Sequence, residues 1–343
     1  MLIRKSRPAP VPSADALPNG AALRRDIVAG LTAPARSLPC KLFYDDAGAH
    51  LFDRITQLDA YYPTRTELAI LRGHAGEIAR LLGPRCKIVE PGSGSGLKTR
   101  LLLEALEEPA AYVPVDISRA QLEEFAAALA AEMPWLEVLP VAADYTGGFD
   151  LPRGARAARR VAVFFPGSTI GNFEPADAER FLSRAAALVG PDGALLIGVD
   201  RKKDRATLEL AYDDPEGVTA AFNLNILTHV NRLCGSDFDT AAFRHHAFYD
   251  AAAGRVEMHL LSLRRQCIAI PPGYGEPAVR IALDAGETIR TEHCYKYHPS
   301  EFAALAERAG WRLERVWTDP REWFAVLYLE PAGPRPEVHP KDL

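Results

Sequence analysis

Apolar and polar positions along the middle of the chain follow two different periods. Short apolar runs bounded by turn residues predict strands, and apolar residues spaced three or four apart predict helices. From residue 64 onward the two patterns alternate, with helices at 64–83, 98–106, 119–132 and 175–189 and strands at 87–90, 111–115, 136–141, 160–165 and 194–200. Strands that alternate with helices indicate a parallel sheet covered on both faces. We therefore expect an α/β fold with a doubly wound, mostly parallel sheet.

Two of the predicted helices carry signals at their ends. Thr64 and Glu67 have the spacing of a capping box, directly after Pro63. The helix at 175–189 has Pro175 in its opening turn, and Gly190 follows its last residue. These signals predict helices that begin and end sharply.

The strand and helix pattern resumes near the C-terminus. It predicts a helix at 300–309 and strands at 312–318 and 323–329. The turn between these two strands is too short for a parallel crossover. We therefore expect an antiparallel pair that closes the sheet.

The segment 201–296 has a different pattern. It contains one long predicted helix, 217–233, and two runs, 255–260 and 288–297, in which apolar and polar residues alternate. Such alternation is typical of antiparallel strands with one buried face. We therefore expect a second, inserted α+β domain within the sheet domain.

The expected domain boundaries follow from these patterns. The sheet domain comprises residues 61–200 plus 297–330, and the inserted domain comprises residues 19–60 plus 201–296. Residues 1–18 and 331–343 are rich in proline and are expected to be tails.

Composition limits the classes of function. The 343 residues are 48% hydrophobic and 25% charged, which is ordinary for a globular protein and excludes wholesale disorder. The net charge of -5 argues against nucleic acid or an anionic membrane as a partner. The chain has no apolar run long enough for a membrane helix and no apparent signal peptide, so we expect a cytoplasmic protein. The five cysteines form no CxxC pair, and we expect neither a zinc site nor a disulfide framework.

A glycine-rich turn follows the first predicted strand. Residues 90–96 read EPGSGSG and lead into the helix that begins near Lys98. Because glycines let the backbone approach a ligand closely, a strand, such a turn and a helix N-terminus together favour a nucleotide cofactor. The order G-x-G-x-G after an acid is the form seen in binders of S-adenosylmethionine (SAM), whereas a dinucleotide site has G-x-G-x-x-G. A tight turn without a ligand, and a dinucleotide site in which Lys98 supplies a cation, remain alternatives.

Acidic and aromatic residues follow the neighbouring predicted strands. Asp116 ends the second strand, where a carboxylate can accept both ribose hydroxyls, and Asp144 and Tyr145 follow the third. Open α/β sheets bind ligands at these carboxyl ends, although each acid alone is also compatible with a helix cap or a solvated loop. Since SAM carries a sulfonium cation, Tyr61, Tyr62 and Tyr145 are candidates for cation–π contact. The sequence therefore predicts SAM as the cofactor and no metal.

Several blocks of the sequence resemble the L-histidine N-alpha-methyltransferases, which trimethylate histidine to hercynine in ergothioneine biosynthesis. The blocks are 42–45 (LFYD), 61–67 (YYPTRTE), 165–172 (FPGSTIGN), 211–214 (AYDD), 217–223 (GVTAAFN) and 291–292 (TE). The resemblance extends over residues 20–330. It implies a Rossmann-like, class I SAM-dependent methyltransferase domain, an inserted substrate-binding domain and a free amino acid as the small-molecule substrate.

The resemblance also implies roles for individual residues. The residues implied to hold SAM are Tyr61, Gly92, Lys98, Asp116, Asp144 and Tyr145. Those implied to hold the amino and carboxylate groups of the substrate are Asn172 and Tyr212, with Tyr44 and Gly167 nearby. Those implied to hold the imidazole ring are Glu292 and Cys294, with Met258 packed on the ring.

The chemistry of these residues agrees with the implied roles. In an extended strand, Glu292 and Cys294 point to the same face, so a carboxylate and a small side chain can address the two ring nitrogens. Asn172 offers both a donor and an acceptor to an amine. Cys294 departs from the family, whose members usually carry serine there, and a thiol is the weaker hydrogen-bonding group. Cys294 therefore leaves the choice of substrate open.

Methyl transfer to an amine is an in-line displacement that needs a free lone pair on nitrogen. The protein mainly positions the reacting groups and excludes water, and we expect Tyr44 and Asn172 to orient the nitrogen without a strong general base. An N-methyltransferase for another amino acid or imidazole compound, a nicotinamide oxidoreductase and a non-catalytic ligand-binding protein remain alternatives.

Overall fold

The structure is a computed structural model that describes residues 20–94 and 96–333. The predicted tail 1–18, most of the predicted tail 331–343 and Ser95 of the glycine-rich turn lie outside the described residues. The chain divides into two compact units. Unit 1 comprises the residues up to Tyr61 together with Arg205–Asp250 and Val256–His293, and unit 2 comprises Tyr62–Asp204, Ala251–Arg255 and the residues from Cys294 onward.

Helices and strands account for most of the described residues. The helices are α1 (Gly20–Thr32), α2 (Asp46–Ile55), α3 (Tyr62–Leu82), α4 (Leu97–Ala105), α5 (Arg119–Glu132), α6 (Pro175–Val189), α7 (Arg205–Tyr212), α8 (Val218–Cys234) and α9 (Pro299–Arg308). The strands are β1 (Cys86–Pro91), β2 (Ala111–Asp116), β3 (Val141–Ala142), β4 (Arg160–Phe165), β5 (Ala194–Asp200), β6 (Phe243–Asp250), β7 (Arg255–Ser262), β8 (Gln266–Ile270), β9 (Val279–Leu283), β10 (Thr288–Tyr295), β11 (Trp311–Thr318) and β12 (Phe324–Pro331).

Unit 2 is built on a seven-stranded sheet in the order β11-β12-β5-β4-β1-β2-β3. Strands β1 to β5 pair in parallel, whereas β12 runs antiparallel to both β5 and β11. The predictions of a mostly parallel sheet and of a closing antiparallel pair are confirmed. The strand order reverses between β1 and β4, and ligands of open α/β sheets bind at the carboxyl ends of strands beside such a reversal.

Helices cover both faces of this sheet, which is the doubly wound arrangement predicted. On one face α6 and α9 pack on the strands through residues such as Leu182 and Phe302. On the other face α3, α4 and α5 do so through residues such as Leu71, Leu103 and Leu129. Side chains alternate between the two cores along each strand, because successive strand residues point to opposite faces.

Two local predictions in unit 2 are wrong at the level of individual residues. Helix α3 begins at Tyr62 rather than at Thr64, so Thr64 lies inside the first turn and does not cap it. The predicted strand 136–141 shrinks to β3, preceded by an isolated bridge between Tyr112 and Val138. Pro140 interrupts this run, and proline has no N–H to donate to a neighbouring strand.

Unit 1 combines α1, α2, α7 and α8 with most of a three-stranded sheet, in the order β10-β7-β6, and the antiparallel pair β8–β9. Asp45, which precedes α2, connects that helix to α8. Its carboxylate caps α2 by accepting from the Gly48 N–H at 2.8 Å. It also accepts from the side chains of Asn225 and Arg232 on α8, each at 2.7 Å. The sequence analysis predicted α8, β7 and β10 but missed β6, β8 and β9.

The units depart from the predicted domain boundaries at Tyr61, which belongs to unit 1, and at three short segments, 201–204, 251–255 and 294–296, which belong to unit 2. For these three segments, the reason is a set of contacts around the end of β5. The ammonium groups of Lys203 and Lys296 lie 2.6 and 2.7 Å from the carboxylate of Asp200, and the Lys296 N–H donates to the carbonyl of Gly254 at 2.9 Å. Among the described residues, no helix is both long and apolar enough to cross a membrane.

Candidate active site

The glycine-rich turn leaves the carboxyl end of β1 in the conformation that its glycines allow. Gly92, Gly94 and Gly96 have φ values of 71°, 50° and 69°, a left-handed region that side chains disfavour. Gly92 and Gly94 are exposed, and the Gly92 N–H donates to the carbonyl of Val115 at 2.7 Å. A Cβ at Gly92 would lie 3.6 Å from the ring of Tyr145, so this ring borders the turn.

Two predicted acids lie at the ends of the next strands. The carboxylate of Asp116 accepts from the Ser118 N–H at 2.9 Å, and burial raises the pKa of Asp116 above its ordinary value despite that bond. Asp144 is exposed and accepts from the backbone and hydroxyl of Thr146. Tyr145 packs edge-on against Phe165 and Phe181. The structure therefore brings both acids and the aromatic ring to the edge of the sheet where the glycine turn lies.

Lys98 and Gly167 both contact the carboxylate of Glu67, which the sequence analysis assigned to a helix cap. Glu67, only 1% exposed, lies with Oε2 2.5 Å from the Lys98 ammonium. The Gly167 N–H donates to both oxygens of Glu67, at 2.8 and 3.1 Å. Glu67 therefore joins a predicted cofactor residue to a predicted substrate residue and does not form a capping box.

Asn172 ends a 3₁₀ turn, Thr169–Asn172, that packs closely against β10. A Cβ on Gly171 would lie 2.9 Å from Sγ of Cys294 and 2.7 Å from the carbonyl oxygen of Tyr295. Glycine at 171 therefore allows Asn172 and Cys294 to lie on neighbouring segments of unit 2.

Cys294 lies beside a buried charge cluster. The Lys296 ammonium is 3.2 Å from Sγ of Cys294 and 2.7 Å from the Asp200 carboxylate. Although burial opposes ionisation of Asp200, Lys296 and Lys203 together hold its pKa below the ordinary value. Tyr62, a candidate for contact with the cofactor, instead donates its hydroxyl to Asp200 at 2.8 Å, and the Lys203 ammonium lies 4.3 Å from its ring centre. Tyr62 is therefore part of this cluster.

Unit 1 contains an aromatic cluster. The ring of Tyr61 lies 6.4 Å from those of Phe52 and Tyr212, and the ring of Tyr44 lies 5.8 Å from Phe52 and 6.1 Å from Phe222. Tyr44 is 47% exposed, whereas Tyr212 is buried. Tyr61, which was predicted to hold the cofactor, thus lies beside the predicted substrate residue Tyr212, and the other five predicted cofactor residues belong to unit 2.

A buried hydrogen-bond network connects the remaining substrate candidates of unit 1. His245 bonds through Nε2 to the carbonyl of Tyr212 and through Nδ1 to the amide of Asn223, both at 2.8 Å. The hydroxyl of Thr291 donates to Asn223 Oδ1 at 2.6 Å and to the carbonyl of Met258 at 3.1 Å. Burial lowers the pKa of His245, which favours a neutral ring that accepts at Nδ1 and donates at Nε2.

Glu292 directly follows Thr291 of this network on β10, and its charge acts on Cys40. Burial, reinforced by the negative charge of Glu292, raises the pKa of the Cys40 thiol to about 12. Cys40 is therefore a neutral thiol near the Glu292 carboxylate. The predicted site residues of unit 1 are Tyr44, Tyr61, Tyr212, Met258 and Glu292, and those of unit 2 are Gly92, Lys98, Asp116, Asp144, Tyr145, Gly167, Asn172 and Cys294.

Comparison with known proteins identifies the family. Residues 23–331 match the model of the family described as histidine-specific methyltransferase, SAM-dependent. The chain belongs to this family. The fold is accordingly that of a class I, Rossmann-like methyltransferase, and SAM is the cofactor, so the methyltransferase prediction is confirmed over the oxidoreductase alternative.

Three relatives are similar to this methyltransferase over most of its length. Histidine N-alpha-methyltransferase of Mycolicibacterium smegmatis is 42% identical over 89% of this chain and 94% of its own length. Ergothioneine biosynthesis protein 1 of Neurospora crassa is 32% identical over 84% of this chain and 32% of its own length. The 4-dimethylallyltryptophan N-methyltransferase of Aspergillus fumigatus is 28% identical over 86% of this chain and 89% of its own length.

The residues of this methyltransferase at the glycine turn suit SAM. The exposed, left-handed glycines offer a backbone cradle in which a side chain at Gly92 would approach Tyr145. Asp116 supplies a carboxylate for hydroxyls, and the Lys98 side chain, 17% exposed, supplies a cation for a carboxylate.

Sequence reasoning missed three functional candidates of this site: Glu67, Asp200 and Lys296. Each of them contacts at least one residue that is far away in the sequence, and local spacing cannot predict such a contact. The glycine at 198 was one available signal, since a glycine inside a buried strand often marks the close approach of another group.

Proposed function

We propose that this methyltransferase trimethylates the α-amino group of free L-histidine to hercynine, in ergothioneine biosynthesis. The observation that carries the proposal is the 42% identity, over nearly the whole of both chains, to an enzyme named histidine N-alpha-methyltransferase. The relative named ergothioneine biosynthesis protein 1 supports the pathway.

The cofactor residues proposed are Gly92, Lys98, Asp116, Asp144 and Tyr145. SAM, when bound, supplies an electrophilic methyl group on a sulfonium. Asp116 and Asp144 offer carboxylate acceptors, Lys98 offers a cation, and Tyr145 offers an aromatic face. Each of these groups matches one part of the cofactor in charge or polarity.

The amino acid backbone of the substrate is proposed to bind Asn172, Tyr212, Tyr44 and Gly167. Asn172 and Tyr44 orient the amino nitrogen, and Asn172 can both donate to and accept from it through successive methylations. We now assign Tyr61 to the substrate as well, because its ring lies beside that of Tyr212. Aromatic faces favour a methylated ammonium through cation–π attraction.

The imidazole ring is proposed to bind Glu292, Cys294 and Met258. Glu292 accepts from a ring N–H, and a charged acceptor strengthens such a bond about twofold. The Lys296 ammonium, 3.2 Å from Sγ, fixes the position of Cys294. A thiol held in this way can occupy the position of the usual serine hydroxyl, although its hydrogen bond is weaker.

A second candidate function is N-methylation of another amino acid or of an imidazole compound. Cys294 favours it, because a weaker partner for the imidazole discriminates less against other side chains. A relative 28% identical to this chain is named for 4-dimethylallyltryptophan, which supports this second candidate. A cytoplasmic location and the absence of a nucleic-acid partner also stay predictions.

Mass spectrometry of the products from purified enzyme, SAM and a panel of free amino acids tests the proposal. We expect mono-, di- and trimethylhistidine to accumulate in turn. Faster turnover of tryptophan or tyrosine than of histidine would favour the second candidate. SAM binding without methylation of any amino acid would reject methylation of histidine.

The role of Asn172 has a matched test. In Asn172→Asp we expect trimethylhistidine formation to fall by about tenfold or more, because the new carboxylate stabilises the protonated amine and removes a donor, each a charged hydrogen-bond effect of about 1.5–3 kcal/mol. Gln121→Glu makes the same amide-to-acid change on the exposed face of α5 and should leave the rate unchanged. An unaltered product profile in Asn172→Asp would remove Asn172 from the site.

A further inference from the structure

Glu67 is a buried carboxylate for which methyl transfer itself has no use. It lies within α3, 1% exposed, yet none of its contacts described above belongs to that helix. Its partners are the Lys98 ammonium at 2.5 Å, in the first turn of α4, and the Gly167 N–H, which donates to both of its oxygens. A buried charge is costly unless it is paired, so this arrangement of partners is specific rather than incidental.

A glycine in β5 makes room for this carboxylate. Gly198 lies in the buried middle of the strand, opposite Val326 of β12. A Cβ on Gly198 would lie 2.0 Å from Oε1 of Glu67 and 2.9 Å from its carboxyl carbon. Glycine weakens a strand interior, and here the missing side chain is the space that the carboxylate occupies.

We infer that Glu67 is a positioning residue that holds the Lys98 ammonium for the cofactor's carboxylate and the Gly167 N–H for the substrate loop. The inference rests on the proposed function for the role of Lys98 and Gly167. A lysine ammonium ends a flexible four-carbon stem, and fixing it before binding removes much of the entropy that binding would otherwise cost. The two bonds from Gly167 partly neutralise Glu67, so that Lys98 keeps its attraction for an incoming anion.

A double-mutant cycle separates this role from a merely structural one. The variants are Glu67→Gln, Lys98→Met and the combination, and the measurement is calorimetric affinity for S-adenosylhomocysteine, which has the same carboxylate but no methyl group to transfer. Because Glu67 acts through Lys98, we expect each single variant to lose about tenfold in affinity and the combination to lose no more than Lys98→Met alone. A loss in the combination equal to the product of the two single losses, or no loss in Glu67→Gln, would overturn the inference.

Two further variants test whether the loss of affinity in Glu67→Gln is specific to that carboxylate. Glu77→Gln makes the same change on the same helix, where Glu77 binds Arg315 and Trp317, and its affinity should equal that of the wild type. Gly198→Ala keeps every charge but displaces the Glu67 carboxylate, so it should reproduce the tenfold loss even where Glu67→Gln does not fold. Wild-type affinity in Gly198→Ala would also overturn the inference.

The cycle is independent of the identity of the amine substrate. If the wild-type enzyme methylates no histidine but the cycle gives the expected coupling between Glu67 and Lys98, only the proposed substrate is rejected. If histidine is trimethylated and the coupling is absent, only the positioning role of Glu67 is rejected.

Discussion

Glu90 is a single residue at which burial changes acid–base behaviour. It is the last residue but one of β1, the strand that leads into the glycine turn, and it is 2% exposed. Its carboxylate accepts from the hydroxyls of Thr99 and Tyr112, both at 2.7 Å. Burial outweighs these bonds and raises the pKa of Glu90 from 4.5 to about 7. Between about pH 4.5 and pH 7, Glu90 is therefore protonated in the folded chain but ionised in the unfolded chain.

This shift predicts a stability that falls as the pH rises. Between pH 4.5 and about 7 the folded state binds more protons at Glu90 than the unfolded state does, so its contribution to the free energy of unfolding declines through this window. Glu90→Gln removes the decline. In urea unfolding, the stability of Glu90→Gln relative to the wild type should rise between about pH 5 and pH 8 by on the order of 3 kcal/mol, since one pKa unit is about 1.4 kcal/mol. A stability difference that stays flat with pH in Glu90→Gln would contradict the shift.

At the level of elements, the close packing of the 3₁₀ turn on β10 depends on Gly171. A Cβ there would lie under 3.0 Å from a backbone carbonyl, which cannot yield as the end of a side chain can. We expect Gly171→Ala to lower stability by about 1–3 kcal/mol through overpacking and to slow methylation, because Asn172 is the next residue. Gly73→Ala, on α3 with open space around its Cβ, should instead stabilise by about 0.5–1 kcal/mol. Thermal unfolding and initial rates of both variants test this, and normal activity in Gly171→Ala would contradict it.

The elements also show what the sequence can and cannot predict. Strands β4 and β5 and helices α5 and α6 have the predicted bounds, because their apolar periods and end signals are local. Strand β3 is shorter than predicted because Pro140 breaks its pairing with β2. The role of Glu67 was not predictable from its spacing to Thr64, since its partners Lys98 and Gly167 are brought to it by the sheet. The candidates on β1 and β2 were predictable because the carboxyl ends of parallel strands share one edge.

Across the whole molecule, tryptophan is distributed unevenly. The chain has four tryptophans, at 135, 311, 317 and 323, and all four belong to unit 2. Trp311 and Trp317 are buried, so their fluorescence responds to unfolding. The five residues proposed to hold the cofactor, Gly92 to Tyr145, belong to the same unit. Intrinsic fluorescence therefore reports on the unit that is proposed to bind SAM.

A ligand that binds only the folded state stabilises it by mass action, by about 2.7 kcal/mol at a hundred times its dissociation constant. We therefore expect SAM to raise the midpoint of the fluorescence-monitored thermal transition, and the shift to grow with the logarithm of its concentration above saturation. Lys98→Met should move this dependence to higher SAM concentrations without abolishing it, because Gly92, Asp116, Asp144 and Tyr145 still bind. NAD, which requires cations or amides for its pyrophosphate, should give no shift. A shift with NAD but none with SAM would contradict the predicted preference of the glycine turn of unit 2 for SAM over a dinucleotide.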